Sequence, residues 1–566
     1  MRRLPGNARN TGLSPFALLF FIPCLLFSFQ DQTVQKKCVV AGRVTNLQTG
    51  EPLRKVNVHL SADQQNAQPG GKAQAYGGIS DAQGYFRFEG VNAGQYSLRG
   101  DRSGFLMTQY GAQGPGQPGT LIRLQAGQEM TDLNLGLIPQ AVITGRVVDE
   151  DGDPMGGVQV QGLRQSWFRG KLRLMPQSAG STNDLGEYRI GSLAPGKYFV
   201  IAQILSMGTG NEWAAIPGAP QLRQVRTFFP DSTSLDTASP ITVTAGQTAS
   251  GMDIRLQRVR TFHVRGKVAS ADGDYVIVSL LSKDQSMPMF GGQAQAPVTT
   301  DRTFDLYGVT PGAYFLTAFN LGNGMAPTLG RQPIEVGASD LSDVIVAIAP
   351  PVSLRGRVSI EGDGPSTPDF HPQVFLVSED GMMGMARVKF ADDRTFSMEN
   401  IGPGKYYPQI SGAPDGAYLK SVRWGQQEIL GKELDLSNGV SSELDLVFRY
   451  GAAQVSGTVP LPQDANKTSP PDFSVALIPT VLNADGSGME LTRVDQSGAF
   501  SFKRVTPGRY LAYALEQFDN DQLQNPDALK QLASKGVEVE VKEKDNKQIQ
   551  LTPIPADDLK RIFEAQ

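Results

Sequence analysis

One pattern of eleven residues occurs five times in this chain without a gap, and it constrains the fold more than any other feature. The copies run from Phe86-Arg87-Phe88 to Gly94-Gln95-Tyr96, from Tyr188-Arg189-Ile190 to Gly196-Lys197-Tyr198, from Phe304-Asp305-Leu306 to Gly312-Ala313-Tyr314, from Phe396-Ser397-Met398 to Gly404-Lys405-Tyr406, and from Phe500-Ser501-Phe502 to Gly508-Arg509-Tyr510. Each opens with an aromatic and an apolar residue two positions apart. An aliphatic residue follows (Val91, Leu193, Val309, Ile401, Val505), and each copy ends on Gly-x-Tyr. A spacing of two puts the opening pair on one face of a strand. Pro311-Gly312 is a turn signal, and alternation resumes after it at Tyr314, Leu316 and Ala318. The pattern predicts two strands joined in a hairpin-like way over one buried face, with the aliphatic residue plugging the end of the core. The repeated Tyr is expected in that core, its hydroxyl on nearby backbone rather than on a ligand.

A second landmark precedes every copy: Gly42-Arg43-Val44, Gly145-Arg146-Val147, Gly266-Lys267-Val268, Gly356-Arg357-Val358 and Gly457-Thr458-Val459. Closing strands follow, among them Leu133-Asn134-Leu135, Val344-Ile345-Val346 and Ile549-Gln550-Leu551. These landmarks bracket about 90–120 residues at a time, the size of one ordinary domain. The expected units are 37–138, 139–258 with long inserts, 259–350, 351–450 and 451–566. The 63 Gly, 37 Pro and only 19% charged residues suit short strands and turns.

In the second unit, Gly145-Arg146-Val147, Gly152-Asp153-Pro154, Asn183 to Tyr188 and Pro195-Gly196-Lys197-Tyr198 together resemble the carboxypeptidase regulatory-like domain. The first unit shares the likeness. The later ones carry trimmed forms, Thr300-Asp301-Arg302 and Asp392-Asp393-Arg394, or a near match, Asp495-Gln496-Ser497-Gly498. The resemblance implies a transthyretin-like, prealbumin-type sandwich, in a group that also holds carbohydrate-binding-like folds and Cna-B-type surface repeats. It also implies a bacterial exported protein. The fold class expected is therefore all-β: five tandem seven-stranded Greek-key β-sandwiches of transthyretin-like or Ig-like type after an N-terminal signal segment.

Residues 1–30 read as that segment. Arg2, Arg3 and Arg9 precede an apolar stretch from Phe16 to Phe29, shorter than the roughly 20 residues a spanning helix needs. Export with cleavage is the leading expectation, and because no clean cleavage signal precedes Gln30 a retained N-terminal anchor is the alternative. Membrane contact is expected only in the second case. Cys24 and Cys38 are the only cysteines; once the leader is removed Cys38 stands alone, and no intrachain disulfide forms. A net charge of -4 lacks the basic footprint of a nucleic-acid binder.

Catalytic constellations are missing. A zinc carboxypeptidase needs a local His-x-x-Glu pair, and His59, His263 and His371 are followed three residues on by Ala62, Gly266 and Val374. No nucleophile elbow, Walker loop or Cys-x-x-Cys occurs. Asp149, Asp151 and Asp153 start like a calcium loop, but Gly152 and Val160 break its pattern, which leaves an Asp/Gly turn. No lysine recurs in the first strand of every unit, which argues against Lys–Asn cross-links. No catalytic residue, metal or cofactor is expected.

Ligand contacts are expected on inserts that the repeat does not share. Trp167 and Phe168 lie in one, Trp213 in another, and Met-rich runs (Met287 to Phe290, Met382 to Met385) in further loops. The same loops would serve equally as lids over sheet edges. Asn525 to Leu532 and Pro555 to Gln566 read as short amphipathic helices. The expectation for function is a non-enzymatic exported binding or spacer protein with a protein or glycan ligand. The alternatives are an accessory partner of a separate envelope enzyme and a structural stalk.

Overall fold

The computed structural model describes residues 36–63, 74–168, 170–204, 222–270, 276–283, 294–320, 328–365, 367, 370–378, 388–461, 472–483, 488–517 and 519–564. The leader, Cys24, Trp213 and both Met-rich runs lie outside the described residues.

The molecule is all-β. The third unit shows its frame with least addition. A three-stranded sheet orders Thr303–Val309, Phe262–Ser270 and Leu341–Ile348 side by side. A four-stranded sheet, in the order Gln295–Pro297, Val276–Ser282, Gly312–Asn320 and Thr328–Val336, faces it. Their inward residues, Val264, Leu280, Phe304, Leu306, Tyr314 and Leu316 among them, form one core. Separate cores are drawn from residues 38–137, 141–256, 354–448 and 453–551.

The first strand of each frame is central. Gly266 lies opposite Phe304 on an antiparallel neighbour and opposite Val344 on a parallel one. This explains the Gly landmark. A Cβ on Gly42, Gly145, Gly266, Gly356 or Gly457 would sit 2.1, 2.2, 1.9, 2.4 or 1.8 Å from a carbonyl oxygen of the parallel neighbour, so no side chain fits. The opening aromatic of the motif is the cross-strand partner of that glycine: Phe86, Tyr188, Phe304, Phe396 and Phe500. It covers the space the missing side chain leaves.

The motif itself is not a hairpin. In every copy the strand before the turn pairs in one sheet and the strand after it pairs in the facing sheet. Phe304 neighbours Gly266, whereas Tyr314 neighbours Ser282 and Ile334. A hairpin and an arch between facing sheets both aim alternate residues at one core, so their sequences alternate identically. The aliphatic residue marks the crossing. The register shifts beside it in each copy, and in four copies the preceding residue is left-handed: Gly90, Ser192, Gly308 and Asn400, at φ +71°, +56°, +74° and +62°.

The repeated Tyr is a core residue in all copies. Tyr96, Tyr198, Tyr314, Tyr406 and Tyr510 are buried. Each hydroxyl donates to the carbonyl four residues upstream, at 3.0, 2.8, 2.9, 2.6 and 2.6 Å, and so pins the arch. Burial pushes Tyr96 and Tyr510 up to about 12.

Two helices cover the fifth unit. Helix α1 (Pro526–Leu532) starts on Asn525, whose side chain accepts from the amides of Asp527 and Ala528, with Pro at the position that needs no N–H. Helix α2 (Ala556–Glu564) buries Leu559 and Ile562 with Leu532, Ala528, Tyr513 and Leu515. The C-terminal segment thus caps the last sandwich. No helix among the described residues is long and apolar enough to cross a membrane.

Candidate functional site

The array does not run out as a string, because the fifth unit folds back onto the first, second and fourth. Against the first, Leu121 and Asp495 form a parallel β-bridge. Leu121 N donates to Val494 O (3.1 Å), Gln496 N to Leu121 O (3.2 Å), and the Gln496 side chain closes on Arg123 backbone at both ends (2.8 Å each). Beside this bridge Arg493 donates to Gln109 Oε1 (2.8 Å), Pro118 O (2.9 Å) and Asp63 Oδ1 (3.2 Å). Asp472 is buried there with neither carboxylate oxygen hydrogen-bonded. Burial pushes it up to about 7 against the opposing pull of Arg493.

The second unit reaches the fifth through an arm. Its strands Gln159–Phe168 and Lys171–Ser181 pair along their length, but Gly196–Gln203 pairs only with Gln159 to Leu163, so the rest projects beyond the sandwich. Arg164 Nη2 donates to Asp519 Oδ2 at 2.7 Å, and Ser166 is hydrogen-bonded to Asp521. Both acceptors flank the 3-10 turn Asn520–Gln524 or lie within it, just ahead of α1. Burial raises the Asp519 carboxyl, with Arg164 opposing. Trp167 and Phe168 sit half-buried on this arm, and the Arg173 guanidinium lies 5.2 Å from the Phe168 ring centre. By the strand's period of two, Trp167 faces away from the side that carries Arg164 and Ser166.

Folding back creates a groove. Its floor is the outward face of the sheet formed by Ala499–Val505, Ala453–Thr458 and Asn546–Gln550. That face displays Ser456, Thr458, Ser501, Lys503, Gln548 and Gln550. Towards the first unit a cleft of about 830 Å³ is walled by Gly94, Gln95, Arg123 and Leu124. Towards the fourth a cleft of about 1090 Å³ is walled by Phe375, Gln409, Tyr418, Val481, Glu490, Arg504 and Arg509. Ser501 and Lys503 line both, so the clefts adjoin across the floor. Arg504 Nη1 ties the second wall by donating to Ala413 O (3.1 Å). Glu543 ties it again, accepting from Tyr418 Oη (3.0 Å) and pairing with Arg449 Nε (2.7 Å). Burial pushes Glu490 up to about 7, with Arg504 opposing, so this carboxyl both donates and accepts hydrogen bonds near neutrality.

The groove offers hydroxyls, amides, dispersed cations and an exposed aromatic face, Phe375. It offers no nucleophile–base pair. Among the described residues no three His, Cys, Asp or Glu gather as metal ligands. Asp149 Oδ1 accepts from the amides of Asp151 (3.0 Å) and Asp153 (2.9 Å), the geometry of a turn. The structure does not bring Trp167 and Phe168 into the groove lining. Sequence reasoning missed the groove residues. Their only signal is that the cross-strand pair beside Gly457, Ser456 and Ser501, is uncharged where the pair beside Gly266, Arg265 and Asp305, is charged.

Residues 39–137 match the carboxypeptidase regulatory-like domain. No curated protein matches the chain. Solved structures with local likeness include the minor pilin GBS52 of Streptococcus agalactiae, at 13% identity and TM-score 0.23 over 40% of this chain and 96% of that one. The shaft pilin spaA of Lactobacillus rhamnosus GG gives 11% and 0.19 over 39% and 96%. The Bacillus anthracis TIE protein gives 11% and 0.15 over 73% of each. Scores this low carry no argument about this chain.

Proposed function

We propose that this chain, whose residues 39–137 match the carboxypeptidase regulatory-like domain, is an exported, non-enzymatic binding protein that holds a glycan across its fifth sandwich. The observation that carries the reading is the groove: a polar sheet face of Ser, Thr and Gln, walled on both sides by other units of the same chain. Such a surface suits a hydroxyl-rich chain lying along it, with Phe375 as an apolar platform and Glu490 as an adaptable hydrogen-bonding group. A site between sandwiches also gives the array a purpose that a plain spacer lacks. The arm tip with Trp167 is a second candidate contact in this reading, separate from the groove.

A glycan array probed with the whole chain tests the proposal. Binding is expected, and Phe375→Ala together with Gln548→Ala should weaken it by about tenfold or more. Absence of glycan binding, with capture of an envelope protein through the arm instead, would replace this reading with protein adhesion.

A further inference from the structure

Resting on that reading, we propose that the ligand of the groove is an acidic glycan, a chain bearing spaced carboxylates such as uronate residues, engaged in both clefts at once. The chain as a whole carries a formal charge of -4, yet the groove is lined by Arg123, Lys503, Arg504 and Arg509 against the single carboxyl of Glu490. The cations fall in two places, Arg123 in one and Lys503, Arg504 and Arg509 around one arch in the other. Arg123 stands on the wall from the first unit, Lys503 on the floor common to both clefts, and Arg504 and Arg509 on the side of the fourth unit. The same lining holds Ser456, Thr458, Ser501, Gln548 and Gln550, which donate and accept for hydroxyls. A planar guanidinium matches a carboxylate in bidentate geometry. Two sites of positive charge on a lining otherwise rich in neutral hydrogen-bonding groups suit a polyuronate.

The same features disfavour the other polyanions. A nucleic acid places a phosphate on every nucleotide and calls for a continuous basic track with stacking platforms. Four cations beside a half-buried carboxyl, with Phe375 as one exposed aromatic in the lining, do not supply that. An extended acidic peptide takes its affinity from a sheet edge with unpaired backbone groups. This floor is a sheet face that presents side chains.

Isothermal titration of the whole chain with oligogalacturonates and with the same oligomers fully methyl-esterified tests the assignment, since esterification removes each charge and adds only a methyl group. The acidic oligomers should bind at least about tenfold tighter. Raising salt from about 50 to 500 mM should erase most of that margin. Affinity should grow with oligomer length and then level off. Lys503→Glu and Arg509→Glu, both on exposed side chains, should each weaken the acidic oligomers by about tenfold or more and leave thermal melting unchanged. Lys503→Arg should restore binding. Equal binding of esterified and free oligomers would overturn the acidic assignment while leaving glycan binding in place. No binding of either would overturn both. Tighter binding of a single-stranded oligonucleotide would also overturn the assignment.

Discussion

The third and fifth units are built on the same frame and treat its outer face in opposite ways. Around Gly266 the outward positions carry charge that is already spent. Asp305 pairs with His263 (2.6 Å) and with Arg265 (3.0 Å), and Arg265 turns its other nitrogen to Asp340 (3.1 Å). The arginine and the His263 amide hold Asp340 below the usual carboxylate range. Around Gly457 the matching positions are Ser456 for Arg265 and Ser501 for Asp305, and the partner strand adds Gln548. One face is closed by its own ion pairs, with Arg223 of the second unit stacked on Tyr307 at 4.6 Å. The other is uncharged at its centre and walled by two further units. Frame and function are therefore separable: the buried half of the motif makes a sandwich, and the outward half decides whether that sandwich has a surface to offer.

The largest expected effect leaves that comparison untouched, because both units share the element it destroys. Tyr314→Ala and Tyr510→Ala each remove a buried ring and the hydroxyl that pins the arch. Each should cost its own unit ~3–5 kcal/mol in calorimetry. A melt like wild type for either would mean that the arch is held by something other than this Tyr.

Next in size is the loss of the walls. Arg493→Ala strands Asp63 and Asp472 at the contact with the first unit without their cation. Breaking such a pair should cost closure about 3 kcal/mol. Small-angle scattering should then show a larger radius of gyration, with the fifth unit itself still folded. Arg265→Ala in the third unit, which breaks an exposed pair, should change nothing measurable in shape.

Closure also carries a pH dependence that the third unit lacks. Burial raises Asp472 from 3.8 to about 7, so the closed arrangement favours its protonated form. The charged group facing it is Arg493, which also pairs with Asp63. For a raised carboxyl, the contribution to closure is fully present below its ordinary value. It is lost as pH rises towards 7, by up to roughly tenfold in the closing equilibrium per pH unit. Scattering between pH 4.5 and 8 should show the array opening as pH rises. Asp472→Asn should flatten the profile, and an unchanged profile in that variant would place the titrating group elsewhere.

Much of the frame was legible in the sequence, because a buried alternating face leaves few choices. Phe304, Leu306, Val309 and Tyr314 read as core, and Asn525-Pro526 reads as a helix start. The arch was not legible, since Pro311-Gly312 turns the chain equally well within one sheet or between two. The fold-back was not legible either. Arg493 meets Asp63 across most of the chain's length, through polar residues that look like ordinary surface. Trp167 drew attention as a large aromatic on an insert. The groove escaped it because Ser456, Ser501 and Gln548 are what any solvated strand shows on its outer side. What sets them apart is the company that the first and fourth units bring.

The smallest change in stability gives the sharpest test of the comparison. The double substitution Ser456→Arg with Ser501→Asp writes the third unit's Arg265–Asp305 pair onto the fifth unit's floor at the same cross-strand register. An exposed pair of this kind contributes about 0–1 kcal/mol, so melting should barely move. The core residues between them, Val455, Phe500 and Phe502, are unchanged, and the walls do not touch these positions through any hydrogen bond described above. Net charge is also unchanged, so a difference in binding cannot come from the overall field of the protein. It has to come from the floor, now occupied by an arginine and a carboxylate satisfied by each other instead of by hydroxyls left for a ligand. Glycan binding should fall by at least about tenfold while shape and melting stay as in wild type. If binding survives intact, the floor is not the site, and the ligand must be sought at the arm around Trp167.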